Sequence, residues 1–168
     1  MRIYLAAVYT NDCCGVSKPG SGRIRALVTH DLEYPWVLES YHYLRDSGSV
    51  PLLKAIRREK KTIFLDSGAF TMFTQGSKVD LGHYAQFIKA NQDIVHTASN
   101  VDHIGRGGEQ ISWNNQKTLE KLGVAIQPVH HARDTDEWLL KYLAEGYDYI
   151  FLGGMVPETT QYLKGWLD

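Results

Sequence analysis

Three short segments of this 168-residue chain combine side chains able to do chemistry, and each lies where an apolar run ends. Leu65-Asp66-Ser67-Gly68-Ala69-Phe70 brings together a carboxylate, a hydroxyl, a flexible peptide and an aromatic ring. A carboxylate such as Asp66 can move a proton, a ring such as Phe70 can stack on a flat ligand, and Gly68 permits backbone conformations and close approaches that other residues resist. The same Asp-Ser-Gly is also common turn chemistry, in which Asp66 only caps the following turn. Leu152-Gly153-Gly154-Met155-Val156-Pro157-Glu158 offers two bare peptides. They suit hydrogen bonds to a planar heterocycle or a phosphate, and equally a tight turn. In Ile126-Gln127-Pro128-Val129-His130-His131, the polar Gln127 sits in an apolar stretch and needs a partner. His130 and His131 can titrate or bind metal. As neighbours in a strand they point to opposite faces, and no third ligand stands at a recognisable spacing, so no metal site is assigned.

The elements that must position these residues follow from hydrophobic periodicity. Apolar runs at Ile3–Tyr9, Thr62–Leu65, Val124–Val129 and Tyr149–Leu152, the aromatic-rich Trp36–Leu44 and the short segment Val101–Ile104 predict strands. Between them, helices are expected over Ser49–Glu59, from Asp80 as cap through Ile88, over Trp113–Leu122, after a capping box of Asp134 and Glu137, and over Thr159–Leu167. Cys13–Gly22 reads as a loop. Leu122-Gly123 and Glu145-Gly146 each end a helix just before a strand, the rhythm of parallel βα units. Strands that do not alternate predict burial on both faces. About six strands in one domain fit either an open doubly wound sheet or a barrel short of its eight. In both, functional loops lie at the C-terminal ends of the strands.

Composition narrows the classes. Hydrophobic residues make up 43% and charged residues 22%, as in globular proteins, and the net charge of −1 gives no global field attracting nucleic acid. The cluster Lys54, Arg57, Arg58, Lys60 and Lys61 reads first as the solvated C-terminal turn of a helix. A smaller basic pair is Arg23 and Arg25. The two cysteines, Cys13 and Cys14, are adjacent and poorly placed to bridge, which fits a reducing compartment. The N-terminal apolar run is too short for a signal peptide, and no stretch approaches a membrane span. A cytoplasmic location, no membrane partner and no cofactor are the expectations.

Taken in order, the segments resemble the tRNA-guanine transglycosylase superfamily. Val37-Leu38-Glu39-Ser40-Tyr41-His42-Tyr43-Leu44 is similar to its I-L-x-N-T-Y-H-L strand, Asp66–Phe70 to D-S-G-G-[FY], and Gly153–Glu158 to a one-residue-longer G-G-L-A-V-G-E. The likeness is closer to the DpdA-like DNA transglycosylases of phages and bacteria. In that branch L-D-S-G-A-F, V-D-x-I-G, W-x-N-Q and L-G-G-M-V-P recur, here Leu65–Phe70, Val101–Gly105, Trp113–Gln116 and Leu152–Pro157. The resemblance covers the chain from Trp36 onward. It implies a (β/α)8 TIM-type barrel, here an incomplete one of about six βα units with the C-terminal strands missing. It also implies exchange of guanine in DNA, or in tRNA, for a 7-deazaguanine such as preQ0 or preQ1. Asp66 would contact the base and act as general acid and base. Phe70 would stack on the ring, and Gly153 and Gly154 would present backbone groups to its edge. Asp102 and Gln127 would hydrogen-bond the amide and amino edge, and Ser67, Gly68 and Met155 belong to the same binding segments.

Three departures accompany the resemblance. The family's nucleophilic aspartate lies on a later strand, so no residue here takes that role. The zinc-binding cysteines of the tRNA enzymes are missing from the sequence, and Arg106 stands where relatives carry a second acid. Two other readings follow. One is a deazapurine-binding subunit that needs a second chain, or self-association, to complete its barrel. The other is an unrelated barrel enzyme that holds a phosphorylated small molecule at Gly153-Gly154.

Overall fold

A computed structural model describes residues 36–58, 60–105, 107–154 and 160–167. The expected strand Ile3–Tyr9, the loop Cys13–Gly22, Arg23, Arg25, Arg106 and Met155 lie outside these residues. Within them, strands and helices alternate. Strand β1 (Trp36–Ser40) leads directly into the short helix α1 (Tyr41–Leu44), then a 3-10 turn (Ser47–Ser49) and α2 (Val50–Arg58). Next come β2 (Thr62–Asp66), α3 (Ala69–Thr74), α4 (Leu81–Ala90) and β3 (Val95–Ala98). The order continues with α5 (Glu109–Lys121), β4 (Val129–His131), α6 (Asp136–Ala144), β5 (Phe151–Gly153) and α7 (Thr160–Leu167).

The incomplete barrel is not what forms. Among the described residues there are five strands in two parallel sheets, one ordered β1-β2-β3 and one β4-β5, and no closed barrel. The discrepancy arises because strand pairing depends on partners remote in the chain. Val101–Ile104 is a loop, because side chains of α5 bond its peptides: Ser112 Oγ accepts from His103 N–H at 2.8 Å, and Asn115 Nδ2 donates to Val101 O at 2.7 Å. The third strand is instead Val95–Ala98, whose register against β2 shifts between Ile63 and Phe64. The expected strand Val124–Val129 contributes only its end to β4. Before that, a single parallel bridge pairs Ser99 with Gln127. Asn100 N–H donates to Gln127 O, and Gln127 N–H to Ala98 O, each at 2.8 Å. This bridge connects the two sheets.

Local chemistry accounts for several boundaries. Asp80 caps α4 by accepting from His83 N–H at 2.8 Å. Pro51 falls in the first turn of α2, where its missing N–H costs nothing, and Arg57 and Arg58 fill the last turn against the macrodipole. Arg57 also forms a fork with Asp93, at 2.6 and 2.9 Å. Gly123 and Gly146 end α5 and α6 in the left-handed region, with φ of 74° and 86°. The capping box expected at Asp134 and Glu137 does not form. Thr135 occupies the cap position of α6, and Asp134 turns back to accept from His131 N–H at 2.8 Å.

Burial on both faces is the sequence expectation, yet β1 and β2 alternate. Val37, Ile63 and Leu65 point into a core shared with Leu52 and Ile56 of α2 and Tyr84, Ala85 and Ile88 of α4. Full burial of each large apolar side chain stabilises the fold by about 1.5–3 kcal/mol. Tyr84, wholly buried, also donates its hydroxyl to Ser99 O at 2.9 Å, which ties α4 to the exit of β3. Leu38, Phe64 and Asp66 are only half-buried and line a cavity on the opposite face.

Candidate functional site at the strand exits

Strands β2, β4 and β5 end on Asp66, His131 and Gly153, which line one cavity because a parallel arrangement delivers C-terminal ends to one rim. The cavity measures about 960 Å³, at the upper end of ligand-site sizes. Its floor is apolar: Leu38 from β1, Phe64 from β2, Val129 from β4 and Phe151 from β5. The Phe64 and Phe151 rings stack with centroids 4.4 Å apart and planes 20° apart, so the strands curve enough for β2 and β5 to meet across this face. The rim carries Asp66, Asp102, Glu109, His131, Arg133 and Asp134, together with Phe70, Gly153 and Gly154.

Asp66 closes β2 in register with Ser40. Its Oδ2 accepts from Gly68 N–H at 2.9 Å. Burial pushes the carboxyl above its ordinary range and the charge of Asp102 adds to the shift, while the Gly68 hydrogen bond opposes it. The net effect favours the protonated form and so suits a proton donor. Gly68, at φ 75°, is required by the chain itself: a Cβ there would lie 2.7 Å from His42 Cβ and 2.8 Å from Ser40 Oγ. That close approach seats the β2 exit on the start of α1. Ser67 is fully buried, donates its N–H to Ser99 Oγ at 3.0 Å and accepts from Ala69 N–H at 3.3 Å. Neither Ser67 nor Gly68 lines the cavity. Phe70, in the first turn of α3, is 63% exposed at the cavity mouth.

Asp102 lies in the loop after β3, which the α5 side chains Ser112 and Asn115 hold on either side of it. The neighbouring Gln116, fully buried, donates to Ile126 O at 3.2 Å. Thus the Trp113–Gln116 segment serves to place the cavity wall. The Oδ2 of Asp102 lies 2.8 Å from His131 Nε2, and both side chains are largely buried. Burial alone would lower the His131 pKa; the Asp102 hydrogen bond and the charges of Asp102, Asp134 and Glu109 outweigh it, and the net shift is upward. His130 faces the other way: its ring is buried, its pKa is pushed down by that burial, and the Asp134 carboxylate is 3.9 Å from its Nδ1. The two histidines therefore serve different faces of β4. Among the described residues, no three His, Cys, Asp or Glu side chains form a group able to hold a metal ion.

Gly153 and Gly154 line the cavity beside His131. A Cβ on Gly153 would lie 2.7 Å from His131 Cδ2 and 2.9 Å from Val129 Cγ1, and Gly154 adopts φ 67°. The glycines therefore make room for the imidazole as well as baring their peptides. Gln127 is absent from the described cavity lining; its peptide serves the bridge to β3. Of the residues singled out from sequence, Asp66, Phe70, Asp102, Gly153 and Gly154 share this cavity, and Ser67, Gly68 and Gln127 support it from behind. The Asp102–His131 pair, Glu109, Arg133 and Asp134 had not been foreseen as a group. The sequence signals for this group are Asp102, through the resemblance, and His131, through its place at a strand exit.

Among the described residues, no helix is long and apolar enough to cross a membrane. The chain matches no family model, no curated protein and no solved structure.

Proposed function

We propose that the cavity takes up a flat purine-like base and that the protein exchanges guanine in nucleic acid, preferably DNA, for a 7-deazaguanine of the preQ0 or preQ1 type. What carries the reading is the convergence of Asp66, Phe70, Asp102, Gly153 and Gly154 on one cavity. Cleaving a glycosidic bond leaves an oxocarbenium-like sugar and a base that must be protonated as it departs. Asp66, whose carboxyl burial shifts upward, suits that transfer and can take back the ring N–H proton of the incoming base as that nitrogen bonds to C1′. The target base has to leave its stack to be reached, and the exposed Phe70 ring offers a replacement surface. The floor of Leu38, Phe64, Val129 and Phe151 accommodates an uncharged ring. Even without Asp66, the carboxylates of Asp102, Glu109 and Asp134 outnumber the guanidinium of Arg133 on the lining, which disfavours a phosphate ester there.

The test is titration of the full chain with preQ0, followed by intrinsic tryptophan and tyrosine fluorescence, beside release of labelled guanine from DNA and from tRNA. Saturable binding with exchange is expected, and Asp66→Asn should keep binding while abolishing exchange. Failure of the folded protein to bind preQ0 refutes the base-binding reading. Binding without exchange on either polymer refutes the transferase reading and leaves a binding subunit.

A further inference from the structure

The cavity wall contains a histidine to which the proposed exchange chemistry gives no role. We propose that His131 is a positioning residue: seated in the slot that Gly153 leaves open, it clamps Oδ2 of Asp102 and so directs the remaining oxygen at the donor edge of the bound ring. This inference rests on the reading of the cavity as a base-binding site.

Three observations carry it. First, the Nε2–Oδ2 separation of 2.8 Å joins residues 29 apart in sequence, on the exits of adjoining strands, with both side chains largely withdrawn from solvent. A hydrogen bond to a carboxylate in such surroundings is stronger and more directional than one at the surface. Second, the imidazole is flanked on two sides. On one side Gly153 approaches so closely that a Cβ would sit 2.7 Å from His131 Cδ2 and 3.2 Å from its Nε2. On the other side Asp134 holds the His131 peptide N–H at 2.8 Å, with its Oδ2 3.8 Å from Nδ1. Third, the loop bearing Asp102 is fixed by Ser112 and Asn115, so the carboxylate can be oriented without moving the backbone. A carboxylate with one oxygen engaged accepts in a fixed direction from the other. A site built to meet a substrate N–H discriminates strongly against an analogue that lacks it.

The test compares 7-deazaguanine with 7-deazahypoxanthine, which lacks the 2-amino donor, as ligands of the wild type, His131→Leu and His131→Gln. Wild type should prefer 7-deazaguanine by about tenfold or more. His131→Leu should lose most of that preference, weakening 7-deazaguanine about tenfold and 7-deazahypoxanthine less than about twofold. His131→Gln places an amide donor near the Nε2 position and should restore the preference. A merely structural role would weaken both ligands alike. In the ligand-free protein, NMR titration of the His131 ring should move to lower pH in Asp102→Asn. The groups facing that ring are Asp102, Asp134, Glu109 and His130, and only the first is altered. An unmoved titration overturns the clamp even if the leucine variant fails to fold. If wild type shows the preference and a folded His131→Leu retains it, the inference fails and the base-binding reading stands. If wild type binds neither base while the titration moves, the base-binding reading fails and takes this recognition role with it.

Discussion

Replacing Gly68 by alanine separates two reasons for a glycine at the exit of β2. Gly68 has φ 75°, and an added Cβ would meet His42 Cβ at 2.7 Å, Ser40 Oγ at 2.8 Å and His42 N at 3.1 Å. The left-handed conformation costs a non-glycine residue roughly 1–2 kcal/mol. Forcing a methyl into a filled space costs roughly a further 1–3 kcal/mol, with little relief here because one neighbour is backbone. Gly68→Ala should therefore lose about 2–5 kcal/mol of stability. Gly76 supplies the control: it has φ 66° and nothing within 4 Å of its added Cβ. Gly76→Ala should lose only the conformational share, about 1–2 kcal/mol. Alanine also restricts the unfolded chain, but equally in both variants, so that effect cancels in the difference. Urea unfolding followed by tryptophan fluorescence, with unchanged m values, measures both. A difference between the variants below about 0.5 kcal/mol would refute the argument that close packing on α1 sets the position of Asp66. A larger loss for Gly68→Ala should also disturb Asp66, whose Oδ2 accepts from the Gly68 N–H.

Three further outcomes are expected. The Asp66 carboxyl is raised on folding, so the native state binds more protons than the unfolded chain, and this group's contribution to stability falls as pH rises from its unfolded pKa of 3.8 through the folded value. Asp66→Asn removes that dependence; its stability relative to wild type should improve across that window toward neutral pH, as read by urea titration at several pH values. Phe70→Ala should leave thermal stability nearly unchanged, since the ring is 63% exposed, but should weaken preQ0 binding by about 5- to 150-fold in a fluorescence titration, the loss of one base-stacking contact. Tyr84→Phe removes a fully buried hydroxyl and leaves Ser99 O without its donor; equilibrium unfolding should show a loss of about 1–3 kcal/mol.

Residue chemistry alone located the exits of β2 and β5. The run Thr62–Leu65, stopped at Asp66, and the run Tyr149–Leu152, closed by Gly153, are legible because a continuous apolar, β-prone stretch bounded by turn residues favours a buried strand. The Asp80 cap and the glycine stops of α5 and α6 are legible for the same reason, since their partners lie within one turn. Strand pairing was not local in this sense. Val101–Ile104 has β-branched ends that suit a strand, yet Ser112 and Asn115 claim its peptides, and Val95–Ala98 takes the place beside β2. Which strands pair among the described residues follows from such competition between distant groups. So do the contacts that make the cavity: Phe64 on Phe151, Asp102 on His131, and Gly153 against that imidazole. Each joins positions far apart in the chain, set by sheet curvature and by which side chain fills which gap. Periodicity records which face of an element avoids water; it holds no information about which remote residue that face will meet.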